Sequence, residues 1–481
     1  MIIPFIGGSS AGRSIAVSSE RTINFYPEST TGGKSDAVLI GTPGLVKFAE
    51  VTTNLGACRG MYAAGGDRFF VVVGNQFCEI SKGAAVTVIG TLQTIIGMCS
   101  IAENVNLTTN TTQIMICDGT AGYIYDLATG NFAAITSAGY AAGTHVVYKD
   151  GFFIQTKTGT NTFVYSALYD GTTWDALDYY AAEGGADDVV ALGKINNELW
   201  VFGSKSTEIW ASTGDSNNPF ARVSNAYIDV GIAAPYTIST ASGTIFWIGG
   251  SAQGNRVVYA ATGYQPQRIS THSIEYLLSK ISDISDAVGY CYQQEGHNFY
   301  VISSQRGNLT LCYDTTTGVW HERGYYNSFS GINDRHRAIC SVYWDNKIML
   351  GDYANGKIYY YSMDAYTDDS NPIKRVRQTG HSHNDSKRLF YHSIEIDIER
   401  GVGLVSGQGS DPQVMLQYSD DGGYVWSSEH WVSAGVIGNR FARAKFSRMG
   451  SSRDRVWRIS VTDPVKWIII GARADITIGD N

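Results

Sequence analysis

The sequence predicts an all-β chain, a β-propeller of six or seven blades with a C-terminal β-sandwich platform domain, and three observations carry that reading. First, 54 glycines and 30 tyrosines accompany only 17 % charged residues, against about 25 % in an ordinary soluble domain. A chain favouring Gly, Thr, Ser, Tyr, Val and Ile suits pleated strands and tight turns rather than long helices. Second, a strand-turn-strand unit recurs through residues 56–370, at roughly the 45-residue, four-strand period of a propeller blade. Third, beyond Asn371-Pro372 the strands lengthen and alternate apolar with polar residues, as half-buried antiparallel strands do.

Residues 1–55 are too short and loop-like to fold alone, so they are expected as an N-terminal arm packing on another domain. Within the propeller, 56–370, apolar strands such as Phe69–Val73, Ile114–Cys117, Phe152–Ile154 and Leu199–Phe202 adjoin Asn, Asp or Gly turns. Thr244–Ile248, Phe299–Ile302 and Lys347–Leu350 continue the series. Such punctuation between apolar runs marks hairpins. The stretches from Tyr125-Asp126 to Phe132, Tyr169-Asp170 to Trp174 and Tyr313-Asp314 to Trp320 look like the closing turns of kelch-type blades, without consistent double glycines. In 371–481 the long alternating strands Ser393–Glu399 and Gln413–Tyr418 are expected to build the sandwich platform.

Composition excludes several classes. With 43 % hydrophobic and 12 % aromatic residues the chain is not disordered. No window approaches the roughly 20 apolar residues of a membrane span; Trp467–Ile470 is a short run. Met1–Ile6 has no basic residue before its apolar stretch and is too short for a secretory core, so synthesis in the cytosol is expected. Cysteines 58, 78, 99, 117, 291, 312 and 340 have no Cys-x-x-Cys spacing and read as buried reduced thiols. The net charge of −8 is uneven: residues 1–370 carry 21 Lys/Arg and 32 Asp/Glu, whereas 371–481 carry 15 and 12.

Ser419-Asp420-Asp421-Gly422-Gly423-Tyr424-Val425-Trp426 fits the Asp-box pattern Ser-x-Asp-x-Gly-x-x-Trp. Ser419 and Asp421 are expected to bond turn amides, Gly423 to take a positive φ, and Trp426 to cap the hairpin against the core. One copy outside the propeller reads as a structural hairpin. Gly8-Ser9-Ser10-Ala11-Gly12 has the nucleophile-elbow spacing, but no helix pattern follows. Gly32-Gly33-Lys34-Ser35 has Glu28 where a phosphate loop needs its first glycine. His381, His383 and Asp385 read as a solvated turn without a further metal ligand. The pairs Asp187-Asp188, Asp368-Asp369 and Asp420-Asp421 are sequence neighbours, which point apart on a strand and make no catalytic dyad. No catalytic, cofactor or metal site is predicted. Residues 440–473 hold nine Lys/Arg against Asp454 and Asp463, and are read as a charged face or subunit interface with Arg448, Arg453, Arg455 and Arg458 as candidate contacts. Strand alternation puts Arg455, Trp457 and Ile459 on one side and Val456, Arg458 and Ser460 on the other.

The two ends carry a resemblance. Glu20-Arg21-Thr22-Ile23-Asn24-Phe25-Tyr26-Pro27-Glu28, Lys34 and Leu39-Ile40-Gly41-Thr42-Pro43-Gly44-Leu45 resemble the opening of the packaged-DNA stabilisation proteins, the tail hub or nozzle proteins of short-tailed bacteriophages. The matching positions are Arg21, Asn24, Tyr26, Glu28, Gly41, Pro43 and Gly44. Cys58-Arg59-Gly60-Met61 leading into Phe69–Asn75 is similar to that family's first propeller hairpin. Ser419–Trp426, Arg448-Met449-Gly450, Arg453–Trp457 and Asp463-Pro464-Val465 are similar to its C-terminal β-domain. The resemblance implies a non-enzymatic virion protein of the phage tail, made in the host cytoplasm, with no cofactor and no stable membrane insertion. It implies a homo-hexamer attached below the portal and adaptor, meeting a tail needle, plug or tail fibre proteins. That ring closes the exit channel after packaging and conducts double-stranded DNA on ejection without sequence-specific binding. An acidic propeller bordering the channel would let phosphates slide rather than stick. The alternative class is a tail-associated glycan-binding protein or propeller-type glycoside hydrolase, which calls for carboxylates and arginines clustered at the propeller centre.

Overall fold

The computed structural model describes residues 2–479 apart from 31, 53–55, 107–110 and 251–255. Antiparallel meanders follow one another at 58–91, 100–134, 146–181, 189–222, 231–268 and 288–327. Each of these six blades is built from consecutive strands. A seventh radial sheet holds Ala338–Trp344, Lys347–Asp352 and Lys357–Ser362, and its outer strand is Gly44–Glu50 from the start of the chain. The expected six or seven blades therefore resolve into six contiguous ones and one spliced from both ends.

The apolar runs follow from this geometry. In Arg68–Val73 of the first blade, Phe69, Val71 and Val73 enter the core shared with the seventh blade, beside Trp344 and Met349. Phe70 and Val72 enter the core shared with the second, beside Ile114 and Ile116. Both faces of a middle strand are buried, so it is apolar at every position. The turns obey local chemistry: Asn196-Asn197 and Asp345-Asn346 all have positive φ, the two-residue hairpin geometry that Asn and Asp tolerate. A bulge in the seventh blade between Ile358 and Tyr359 lets one strand serve two cores. Leu45 packs with Phe299 and Val301 of the sixth blade, and Ala49 packs with Phe69 and Val71 of the first.

The structure also holds a helix that the all-β reading does not contain, His272–Ser279. Thr271 caps it by accepting from the Ile274 N–H, and Ile274 and Leu278 are buried in the core between the fifth and sixth blades.

The sandwich has one sheet ordered Phe25–Ser29, Ala37–Gly41, Ile468–Ile478, Leu389–Ile398, Ala444–Ser447. The other runs Arg21–Ile23, Arg375–Gln378, Asp454–Val461, Gln413–Ser419, His430–Ser433. Phe25, Leu39, Ile394, Ile396, Leu416, Trp457, Ile459 and Ile469 fill the space between them. The N-terminal segment, expected as an arm, thus supplies strands to both sandwich sheets and to the seventh blade.

Candidate functional site

The N-terminal sequence motif converges on the joint between propeller and sandwich. Ile23 pairs in parallel with Glu322 of the sixth blade and antiparallel with Val376 of the sandwich, so one sheet runs from one unit into the other. The next residue, Asn24, is buried at φ 57°, a conformation that Asn tolerates better than most side chains. Its Nδ2 donates to the carbonyls of Gly324 and Lys374, both at 2.9 Å, and its Oδ1 accepts from the Gly324 N–H. Arg21 forms a two-pronged pair with Glu322, which also accepts from Ser9 Oγ at 3.1 Å. Tyr26 is fully buried, edge-on to His297 at 5.2 Å and Phe299 at 5.3 Å. Glu28 lies 3.5 Å from His297 Nε2, whose Nδ1 meets Asp314 at 2.8 Å. The glycines are steric: a Cβ on Gly41 would stand 2.7 Å from Arg375 Nε, and one on Gly44 2.4 Å from the Thr367 carbonyl. Pro43 is buried between them.

Sequence reasoning missed Arg375 and Arg377, because Lys374-Arg375-Val376-Arg377 reads as a solvated charge run. Arg377 is fully buried; it donates to the Phe5 and Gly8 carbonyls at 2.8 and 3.0 Å and pairs with Glu20 at 3.0 Å. A buried guanidinium needs that many acceptors to offset its desolvation. Burial nevertheless holds its pKa below the ordinary arginine value, against the pull of Glu20. The acidic Glu20 at the head of the motif was the available signal.

On the sandwich, the Asp-box closes locally. Ser419 Oγ donates to Asp421 Oδ1 at 2.6 Å and accepts from the Gly423 N–H at 2.8 Å, while the Tyr424 and Val425 N–H groups donate to Asp421 at 3.0 Å. Gly423 has φ 105°. Trp426 departs from expectation: it is half-buried, and its ring faces the Arg458 guanidinium at 3.8 Å instead of capping the core. Arg455 also requires correction as an interface candidate. Its side chain is 1 % exposed, bonded through two nitrogens to Asp420 and stacked 4.0 Å from the Tyr418 ring centre. It faces inward with Trp457 and Ile459, so it cannot reach a partner. Arg458 is half-buried and donates to Gln417 at 2.8 Å, whereas Arg448 and Arg453 are exposed.

His381 does not stand in a solvated turn. Its Nδ1 lies 2.6 Å from Asp454 Oδ2 and its Nε2 2.9 Å from the Ile15 carbonyl. Both partners are acceptors, an arrangement that favours the doubly protonated imidazole. Burial opposes that charge, but the Ile15 carbonyl and the Asp454 carboxylate outweigh it and raise the pKa. Among the described residues, no group of three His, Cys, Asp or Glu side chains could hold a metal ion.

The seven inner strands surround an axial space of about 540 Å³ whose lining includes Met61, Cys99, His145, Lys194, Tyr236 and Tyr343. No carboxylate and no arginine is among the described lining residues, and burial lowers the His145 pKa to about 4, leaving it neutral. At the seam between the first and seventh blades the thiols of Cys58 and Cys340 face each other at 3.7 Å.

This architecture matches known proteins at the level of family. The family described as "Bacteriophage P22 Gp10, beta-propeller" matches residues 1–366, and "Bacteriophage P22 Gp10, beta-sandwich" matches residues 374–477. No curated protein matches the chain. Among solved structures, the computationally designed Ika8 protein gives a TM-score of 0.36 at 12 % identity, over 71 % of this chain and 100 % of that one. A chain of the Mitotic Checkpoint Complex gives 0.39 at 9 % identity, over 70 % and 95 %. An extracellular domain assigned to a hybrid two component system of B. thetaiotaomicron gives 0.44 at 8 % identity, over 87 % and 58 %. With both of its units matched in order, the chain belongs to the bacteriophage P22 Gp10 family of phage structural proteins.

Proposed function

We propose that the chain is one subunit of a homo-hexameric tail nozzle that attaches below the portal and adaptor, closes the exit channel after packaging and conducts DNA on ejection. Residues 56–370 form the body of each subunit and 371–481 its docking platform. Arg448 and Arg453, with the outer edge of Arg458, meet the adaptor or a neighbouring subunit, and a needle, plug or fibre protein meets the distal face.

The observation that carries this reading is the continuous sheet from the sixth blade through Ile23 into the sandwich, reinforced by buried Asn24 and Arg377. A nozzle transmits load from packaged DNA between its two units, and a shared sheet with buried bonds leaves no hinge there. The axial space of about 540 Å³ is too small for a duplex, so the conduit belongs to the ring of subunits. An acidic propeller body facing that conduit repels phosphates and favours sliding.

The test is electron microscopy of particles assembled without this protein. DNA-leaking heads that lack the distal tail are expected. Filled heads bearing complete tails would overturn the proposal.

A further inference from the structure

Two exposed surfaces take no part in the joint or the axis. On the outer edge of the third blade lies the strand Asp170–Ala181, 12 residues long and the last of its sheet, with Ser137 Oγ bonded to both the N–H and the carbonyl of Trp174. Residues 168–188 carry Asp170, Asp175, Asp178, Glu183, Asp187 and Asp188, and no Lys or Arg. Among these carboxylates Leu177 is 81 % exposed, with Leu168 and Tyr179 about half exposed. Burial raises the Asp178 pKa, and the neighbouring Asp175 adds to it.

The sandwich presents the reverse charge. Residues 433–448 carry Arg440, Arg443, Lys445 and Arg448, and no Asp or Glu; Arg443 is paired through two nitrogens with Glu395 of the adjacent strand, which leaves Arg440, Lys445 and Arg448 to set the charge of the loop. Phe441 is 91 % exposed there, beside exposed Val436 and Ile437. The Gly438 N–H donates to the Gly401 carbonyl at 3.1 Å, tying this loop to a second one that exposes Leu404 and Val405. Clustered apolar side chains on a surface mark an interaction site.

One chain cannot bring the two surfaces together. The sandwich is joined to the sixth blade through Ile23 and to the seventh where its strand Ala37–Gly41 runs directly into Gly44–Glu50, and in a ring of seven the third blade lies across the axis from that junction. Contact between them is therefore head-to-tail between copies, the heterologous arrangement that closes into a ring when the rotation per step allows it.

We infer that the acidic, apolar edge of the third blade in one copy receives the basic, apolar 433–448 loop of the next. The occupant is a second copy because this chain carries both halves of the match, in charge and in apolar content. The assignment rests on the ring reading above and specifies its surfaces.

Charge reversal tests it with the full chain. One variant carries Asp175→Lys with Glu183→Lys; the other carries Arg440→Glu with Lys445→Glu. Sedimentation at low ionic strength is expected to show the wild type assembled and each variant monomeric when alone, with at least tenfold weaker association. An equimolar mixture of the two variants reassembles, since the reversed edge now matches the reversed loop. If the wild type assembles and both variants do so equally well, the surfaces are wrong while the ring stands. If the wild type stays monomeric at every concentration, the ring reading itself falls. Should either variant melt early, Leu177→Cys mixed with Ile437→Cys reads the same contact. A short bis-maleimide then links the two chains, and absence of linkage in assembled material overturns the assignment.

Discussion

Asn24 and Gly324 are bonded to each other twice, side-chain donor to carbonyl and backbone N–H to side-chain acceptor, each at 2.9 Å. A side chain here imitates the paired bonds of a β-ladder and ties the N-terminal segment to the sixth blade. Asn24→Ala would strand the Gly324 N–H and the carbonyls of Gly324 and Lys374 inside the joint. Unpaired buried groups cost about 1–3 kcal/mol each, so a loss of roughly 3 kcal/mol is expected in chemical denaturation. An unchanged midpoint would show that water replaces the amide freely.

The His381 clasp is pH-dependent, with a definite sign. Its pKa is raised in the folded chain, so its contribution is complete below the unfolded imidazole value of about 6.5. It is lost as pH rises through the folded value. Trypsin cleavage after exposed Arg13, compared at each pH with a His381→Gln chain, is expected to be slower in the wild type near about pH 6. The difference should vanish toward about pH 9. A constant ratio across that range would contradict the cationic clasp.

The Cys58 and Cys340 thiols stand 3.7 Å apart across the ring seam, and modest rotation would bring them to the roughly 2.05 Å of a disulfide. The Cys340 hydrogen bond and burial push the Cys58 pKa well up, so at neutral pH the thiolate is scarce and oxidation slow. Copper-phenanthroline, taking two electrons while two protons leave, is expected to join them over hours and faster at high pH. The staple would close a very long loop and raise stability by on the order of 4 kcal/mol. Peptide mapping that finds both thiols free after prolonged oxidation would reject the geometry.

Gly44→Ala places a methyl 2.4 Å from the Thr367 carbonyl and 2.5 Å from that of Ala365. Both neighbours are backbone, so the strand Gly44–Glu50 must shift. Overpacking of this kind costs about 1–3 kcal/mol, and the seventh blade should exchange its amide hydrogens faster than the third. Equal protection of the two blades in the variant would count against this.

Legibility in the sequence followed distance along the chain. The Asp-box could be read because its bonds span only Ser419 to Val425, and Phe69–Val73 because both of its faces are buried. Arg375, Arg377 and Arg455 could not, since a buried arginine looks in sequence like a solvated one until its acceptors arrive from elsewhere. Arg377 draws on Phe5 and Glu20, and Arg455 on Asp420. Trp426 was misplaced for the same reason, because its neighbour Arg458 belongs to another strand. The helix His272–Ser279 was hidden by its brevity among strands. Nor could the pairing of Gly44–Glu50 with Lys357–Ser362 be read, as nothing local marks a partner about 310 residues away.

That pairing has a temporal side. During translation the outer strand of the last blade leaves the ribosome first and waits for its partner. At about 5–20 residues per second, the interval before Ser362 emerges is on the order of 15 to 60 s. Six blades can form in sequence meanwhile, but the circle stays open and Gly44–Glu50 stays without its neighbour. Completion of the propeller is thereby deferred until Ser362 has been made, so a product terminated before that point cannot pass as a finished subunit.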